Sequence, residues 1–206
     1  LRVEQPPWER MIIFKIEVYE EDLGLANFSL VFEAMGRRSN LLLVNGEGNI
    51  LDALKRLSDP PQQGREIMPG NPYSPPPAPG LFHPGTLTLS ALERIFHLSP
   101  APRGVATILA KEVFGLSRPL VEEILARAEV PTTMTVTEIT DDLLHQIYHQ
   151  ISNLTKGTAD QTVAFIFLDP TGLPLDFFPY QPRHLPVERL RPAPDLNGAI
   201  VATLHQ

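Results

Sequence analysis

Trp8-Glu9-Arg10-Met11-Ile12-Ile13-Phe14-Lys15-Ile16-Glu17-Val18-Tyr19 carries apolar side chains at every second position of its later half. Ile12, Phe14, Ile16 and Val18 fall on one face, with Lys15 and Glu17 on the other. That two-residue period predicts a half-buried strand, with Ile12, Phe14 and Ile16 inward. Glu20 to Gly24 reads as a polar turn, and residues 27–35 alternate again through Phe28, Leu30, Phe32 and Ala34. Leu41 to Val44 is a short apolar run. Asn45-Gly46-Glu47-Gly48 follows it as a hairpin signal, because Asn and Gly tolerate positive φ. Ile50, Leu51, Leu54 and Leu57 sit at helical spacing, but the hairpin demands a partner, so 49–56 is read as a strand. Four strands with short links predict an antiparallel sheet over residues 1–58.

The rest of the chain has a different character. Among 206 residues there are 22 prolines, about twice the usual share. Nine lie between residues 59 and 87, which reads as an extended connector, part polyproline II. A stiff linker is one reading of it; a proline-rich ligand for another domain is the other. Residues 88–130 read as a helical module. Ser90 and Glu93 form a capping box before helix 91–98, a second helix spans 103–113 and stops before Gly115, and Ser117 caps a third over 118–128 with Pro119 in its first turn. In residues 131–206, Thr140-Asp141-Asp142 opens a helix to about 154. A hairpin follows, Val163 to Leu168 and Leu173 to Phe178 around Asp169-Pro170-Thr171-Gly172. Its phenylalanines are expected to return to the first lobe, since a lone hairpin is marginal. The tail after Pro179 reads as loosely packed. The fold class is α+β.

Composition narrows the chemistry. With 43% apolar and 20% charged residues the chain is neither a disordered tail nor a membrane protein. Cysteine is absent, which removes disulfides, thiol catalysis and Cys-type zinc sites and fits a reducing cytoplasm. A net charge of −7 means that any nucleic-acid contact needs a local basic patch. No nucleophile elbow, phosphate-binding loop, dinucleotide fingerprint or metalloprotease motif is present. His145 and His149, four apart on a helix, make half a metal site without a third ligand and read as solvent-edge residues. Asp141-Asp142 suits a helix start. No cofactor, no metal and no enzymatic activity are expected.

Two features invite a binding reading. Glu9-Arg10 opens the first strand beside Trp8, as a surface ion pair or as a contact. Gly36-Arg37-Arg38-Ser39-Asn40 lies between two strands, as a solvated turn or as a phosphate contact made by two arginines and backbone N–H groups. Ser117 and Arg118 after Gly115 offer a weaker backbone contact.

The run Trp8 to Phe14, then Phe32-Glu33-Ala34-Met35-Gly36-Arg37-Arg38-Ser39-Asn40-Leu41-Leu42-Leu43-Val44, resembles the NFACT family, whose bacterial members are known as RqcH or fibronectin-binding protein A. The resemblance extends through Ile50-Leu51-Asp52-Ala53, Pro69 to Pro77 and Phe114 to Ile124, and more weakly over Gln161 to Phe178. It implies a lobe similar to that of formamidopyrimidine-DNA glycosylases, then a helix–hairpin–helix module. It implies that the parent protein binds the stalled large ribosomal subunit with its peptidyl-tRNA and recruits alanyl-tRNA for C-terminal alanine tailing. An Asp-Arg pair contacts tRNA in the family. The matching positions are Glu9 and Arg10, with Glu one methylene longer than the usual Asp. Arg37 and Arg38 join them as tRNA-binding candidates. The family's opening segment would lie before Leu1, and its coiled coil and last domain after Gln206. Two other classes stay open: a fibronectin-binding adhesin, and a DNA-binding module of glycosylase-like shape. Glycosylase activity is not expected of the latter, since such enzymes use an N-terminal proline nucleophile and usually a Cys-type zinc finger, whereas this sequence starts with Leu and has no Cys.

Overall fold

The computed structural model describes residues 1–20, 24–58, 65–77, 82–156 and 163–204. The chain forms two compact units, residues 1–78 and 79–206. The class is α+β, as expected from the sequence.

The first unit is a five-stranded antiparallel sheet in chain order: β1 (Arg2–Glu4), β2 (Met11–Glu20), β3 (Gly24–Glu33), β4 (Asn40–Asn45) and β5 (Ile50–Ala53). The sequence reading covers β2 to β5 and misses the short edge strand β1. The β4–β5 turn forms as its Asn-Gly signal predicts. Asn45 Oδ1 accepts the N–H groups of Glu47 and Asn49 at 3.1 and 2.8 Å, and Gly48 turns the chain at φ +87°, where a Cβ would be strained.

The inward face of β2 is the opposite of the one expected. Met11 is buried and Ile13 packs with Val31, Leu42, Val44, Ile50 and Ile67, while Ile12, Phe14 and Ile16 are half-buried on the other face. Met11 to Phe14 is apolar on both faces, so alternation alone does not choose between them. The choice falls to the segment that covers the sheet. Residues 65–73, expected as a plain connector, run along β5 and its flanks. Ile67 and Leu57 exchange both backbone bonds at 2.9 Å, Gly70 N donates to Ile50 O at 2.8 Å and Ile50 N to Asn71 O at 2.9 Å. This segment delivers Ile67 and Tyr73 to the odd-numbered face. Residues 59–64 and 78–81 of the connector lie outside the described residues.

The second unit joins helices to a small sheet. Helices α1 (Leu89–His97), α2 (Val105–Glu112), α3 (Arg118–Arg127) and α4 (Asp141–Lys156) share one core that includes Leu92, Ile108, Leu109, Ile124, Leu125, Ile147 and Ile151. Thr88, not Ser90, caps α1, its Oγ1 accepting the Ala91 N–H at 3.2 Å. The helix therefore starts two residues before the expected Ala91. Strands β6 (Ala164–Leu168), β7 (Pro174–Phe178) and β8 (Leu190–Ala193) form a sheet in the order β7-β6-β8. Phe178 is buried in the helical core and Phe167 packs against it. Ala164 and Ile166 pack with Ala193 and with Ala199 of α5 (Leu196–Leu204). The hairpin expected to return to the first lobe thus has its described core partners in its own unit. The tail expected to be loose supplies β8 and α5. Pro192 is tolerated in β8 because that strand is an edge, and Asp195 Oδ1 starts α5 by accepting Gly198 N–H at 2.7 Å. No described helix is long and apolar enough to cross a membrane.

Candidate nucleic-acid interface

Strand register fixes which side chains meet at one end of the first sheet. Met11 pairs with Glu33, and Glu33 with Asn40. Ala34 N donates to Arg10 O at 2.7 Å, and Leu54 N to Leu41 O at 2.8 Å. Trp8-Glu9-Arg10, the Gly36–Arg38 turn and Lys55-Arg56 therefore all lie at this end. The two sequence candidates, far apart along the chain, become one surface.

Each part of it is held by backbone geometry. Before β2, Glu9 N donates to Pro6 O at 3.1 Å and puts Trp8 at φ +65°, a conformation that a bulky side chain adopts only where its surroundings impose it. Glu9 is half-buried and Arg10 exposed. Between β3 and β4 the chain makes a single 3-10 turn, Gly36–Arg38, opened by Gly36 at φ +60°. Arg37 and Arg38 are both exposed. The expected surface turn over 36–40 is shorter than that, because Asn40 belongs to β4 and is only 3% exposed. Its Oδ1 accepts Lys55 N–H at 2.8 Å and Leu41 N–H at 3.0 Å, and its Nδ2 donates to Lys55 O at 2.9 Å. Lys55 Nζ in turn donates to Arg37 O at 2.9 Å.

Beneath this end sits a buried charge pair. Arg65 donates to Glu33 Oε1 at 2.7 Å, with side chains only 7% and 3% exposed. Tyr73 donates its hydroxyl to the same oxygen at 3.0 Å. Burial, then the Glu33 charge and hydrogen bond, push the Tyr73 hydroxyl well above the ordinary tyrosine value, and the Glu9 charge adds to this. The pair anchors the covering segment to β3. Its sequence signal is nil, since its members stand 32 residues apart.

Among the described residues Glu9 and Arg10 form no ion pair, and neither does Arg37. Two guanidinium forks thus project from rigid backbone with no carboxylate partner among the described residues. The family model of the NFACT N-terminal and middle domains matches residues 1–200. The chain belongs to the NFACT family. It is 29% identical over 175 residues to the Rqc2 homolog RqcH of Bacillus subtilis (strain 168), covering 84% of this chain and 30% of that protein. This NFACT chain therefore spans under a third of that relative. Its fold is similar to the fibrinogen binding protein of Staphylococcus aureus, with a TM-score of 0.74 at 21% identity, covering 97% of this chain and 67% of that one. It is also similar to the N-terminal part of the fibronectin/fibrinogen-binding protein of Streptococcus suis, with a TM-score of 0.62 at 19% identity, covering 98% and 64%.

The other candidates of this NFACT chain lie in the second unit. Ser117 holds the cap position of α3 without a side-chain capping bond. Arg118 is engaged by Glu122 at 2.9 Å in an exposed pair, so its fork is partly committed. His145 Nδ1 lies 2.7 Å from Asp141 O, and His149 Nδ1 accepts from Asn153 Nδ2 at 3.0 Å. Both are exposed, and the described residues contain no group of three ligand-type side chains. Glu123 of α3 is fully buried. Arg127 donates to its Oε1, while its Oε2 receives Arg183 N–H and His184 N–H at 2.7 and 3.2 Å and meets His184 Nδ1 at 2.7 Å. Arg127 also reaches Gln181 O at 3.0 Å and lies 5.3 Å from the Tyr180 ring centroid. This network is a structural latch. The sequence reading overlooks it because its halves are 60 residues apart.

Proposed function

We propose that this chain is the tRNA- and ribosome-contacting N-terminal part of a ribosome-associated quality-control factor. The factor recruits alanyl-tRNA to stalled large subunits that carry peptidyl-tRNA, for C-terminal alanine tailing. The single observation that carries this is the convergence of Arg10, Arg37 and Arg38 with Glu9 at one end of a rigid sheet. Arginine forks on strand ends and turns suit the phosphates and 2′-hydroxyls of structured RNA, which is recognised by backbone and shape. Glu9 accepts a ribose hydroxyl or orients the Arg10 fork. The role is recruitment rather than catalysis, in the cytoplasm where ribosomes are found. Membership of the NFACT family and the likeness to RqcH support this reading. The likeness to the fibrinogen-binding structures is one of fold, and it names no ligand for this chain.

The test uses the intact parent protein. It should co-sediment with large subunits from stalled ribosomes and carry alanyl-tRNA, identified by sequencing the bound RNA. Sedimentation free of subunits, with no enrichment of alanine tRNA, contradicts the proposal.

A further inference from the structure

Lys55 and Arg56 lie beyond the end of β5, outside both motifs that the sequence marks for RNA. Yet the structure builds them into the same surface. Asn40 is buried, and both its oxygen and its nitrogen are bonded to the Lys55 backbone. The Lys55 ammonium then closes on the Arg37 carbonyl. The Arg37-Arg38 turn and the Lys55-Arg56 turn are therefore one bracket, not two independent loops. Among the described residues Lys55 commits one of its three N–H donors, to the bracket. Arg56 bonds Asp52 through Nε and Nη2 at 3.3 and 2.9 Å, and both partners are largely exposed. Such a pair is worth little in water and exchanges readily for a phosphate. Arg10 just before β2 and Lys55 just beyond β5 are three strand spacings apart, about 14 Å. These two side chains and the arginine turn between them line up across the sheet end.

We infer that Lys55 and Arg56 form the second half of the tRNA-phosphate contact, with Asn40 as the residue that positions them against Arg37-Arg38. This rests on the tRNA reading above and extends the contact from β2 and the β3–β4 turn to the far side of the sheet. The ligand chemistry is a continuous run of RNA backbone phosphates, read without regard to base.

The test measures binding of an unmodified alanine tRNA transcript to the intact protein over a range of salt concentrations. The variants are Lys55→Met with Arg56→Gln, Lys55→Arg with Arg56→Lys, Arg10→Ala and Arg37→Ala. The neutral pair should bind roughly tenfold or more weakly, and its slope of log affinity against log salt should fall by about one for each phosphate that is no longer neutralised. The charge-conserving pair should stay within about twofold of wild type. If the neutral pair keeps wild-type affinity and slope while Arg10→Ala loses both, the extension is wrong and the tRNA reading stands. If the charge-conserving pair is as weak as the neutral one, the weakening comes from the fold and the extension is again wrong. If no variant weakens binding, the tRNA reading falls with it.

Discussion

Single residues decide the first sheet through burial rather than propensity. Glu33 and Arg65 illustrate it. A carboxylate inside a core is tolerated only when its charge is met and its lone pairs are filled, and here Arg65 and Tyr73 do both at one oxygen. Removing one partner is therefore worse than removing both. Arg65→Ala should destabilise the protein by about 3–5 kcal/mol, because Glu33 is left charged and unpaired. Glu33→Leu with Arg65→Met should cost far less. Urea melts of the two variants check this, and a double variant as unstable as the single one contradicts it. Asn40 follows the same logic with a neutral side chain, whose three hydrogen bonds go to neighbouring backbone.

Elements are where sequence and structure can be compared directly. The hairpins β2–β3 and β4–β5 and helices α1 to α4 were legible, because a period of two or 3.6 and an Asn-Gly turn are local signals. The inward face of β2 was not, since Met11, Ile12, Ile13 and Phe14 offer apolar side chains to both faces. The distant Ile67 segment settles it. Strand β8 and helix α5 were hidden by Pro192 and by an apolar sequence without amphipathic contrast, although Asp195 marks the helix start. At the site, Glu9-Arg10 and Gly36-Arg37-Arg38 were legible as motifs, whereas Lys55, Glu33 and Arg65 join them only through strand register. The same holds for Glu123, whose partners on 183–184 lie far along the chain. Its pH behaviour follows from opposing causes. Burial raises its carboxyl pKa, but the bonds from His184, Arg127 and the two backbone N–H groups outweigh this and leave it below the ordinary value. A folded-state value below the unfolded one stabilises above about pH 4.3, and that stabilisation is lost as pH falls through the folded-state value. The wild-type melting temperature should thus drop on acidification below about pH 4.3. Glu123→Gln should melt lower at neutral pH and show a flatter acid limb. An unchanged acid limb in that variant contradicts the latch.

At the scale of the whole molecule, an acidic chain concentrates cations where its strands end. The net charge of −7 argues against diffuse attachment to nucleic acid, and the sheet end supplies Arg10, Arg37, Arg38, Lys55 and Arg56 at one place. On the proposed tRNA reading, recognition depends on where a few forks are held, which is why rigid strands and a buried Asn40 would matter to it. The central claim is that this sheet end holds tRNA, and Arg10→Ala tests it most directly. Arg10 is exposed and has no carboxylate partner among the described residues, so the substitution should move folding stability by no more than about 0.5 kcal/mol. Removing a charge-assisted hydrogen bond should weaken tRNA association by about 1–3 kcal/mol. Melting temperature and tRNA recovery are measured together on the intact protein. The account predicts an unchanged melting temperature with sharply reduced tRNA recovery. Full tRNA recovery, or a reduction that accompanies unfolding, would contradict it.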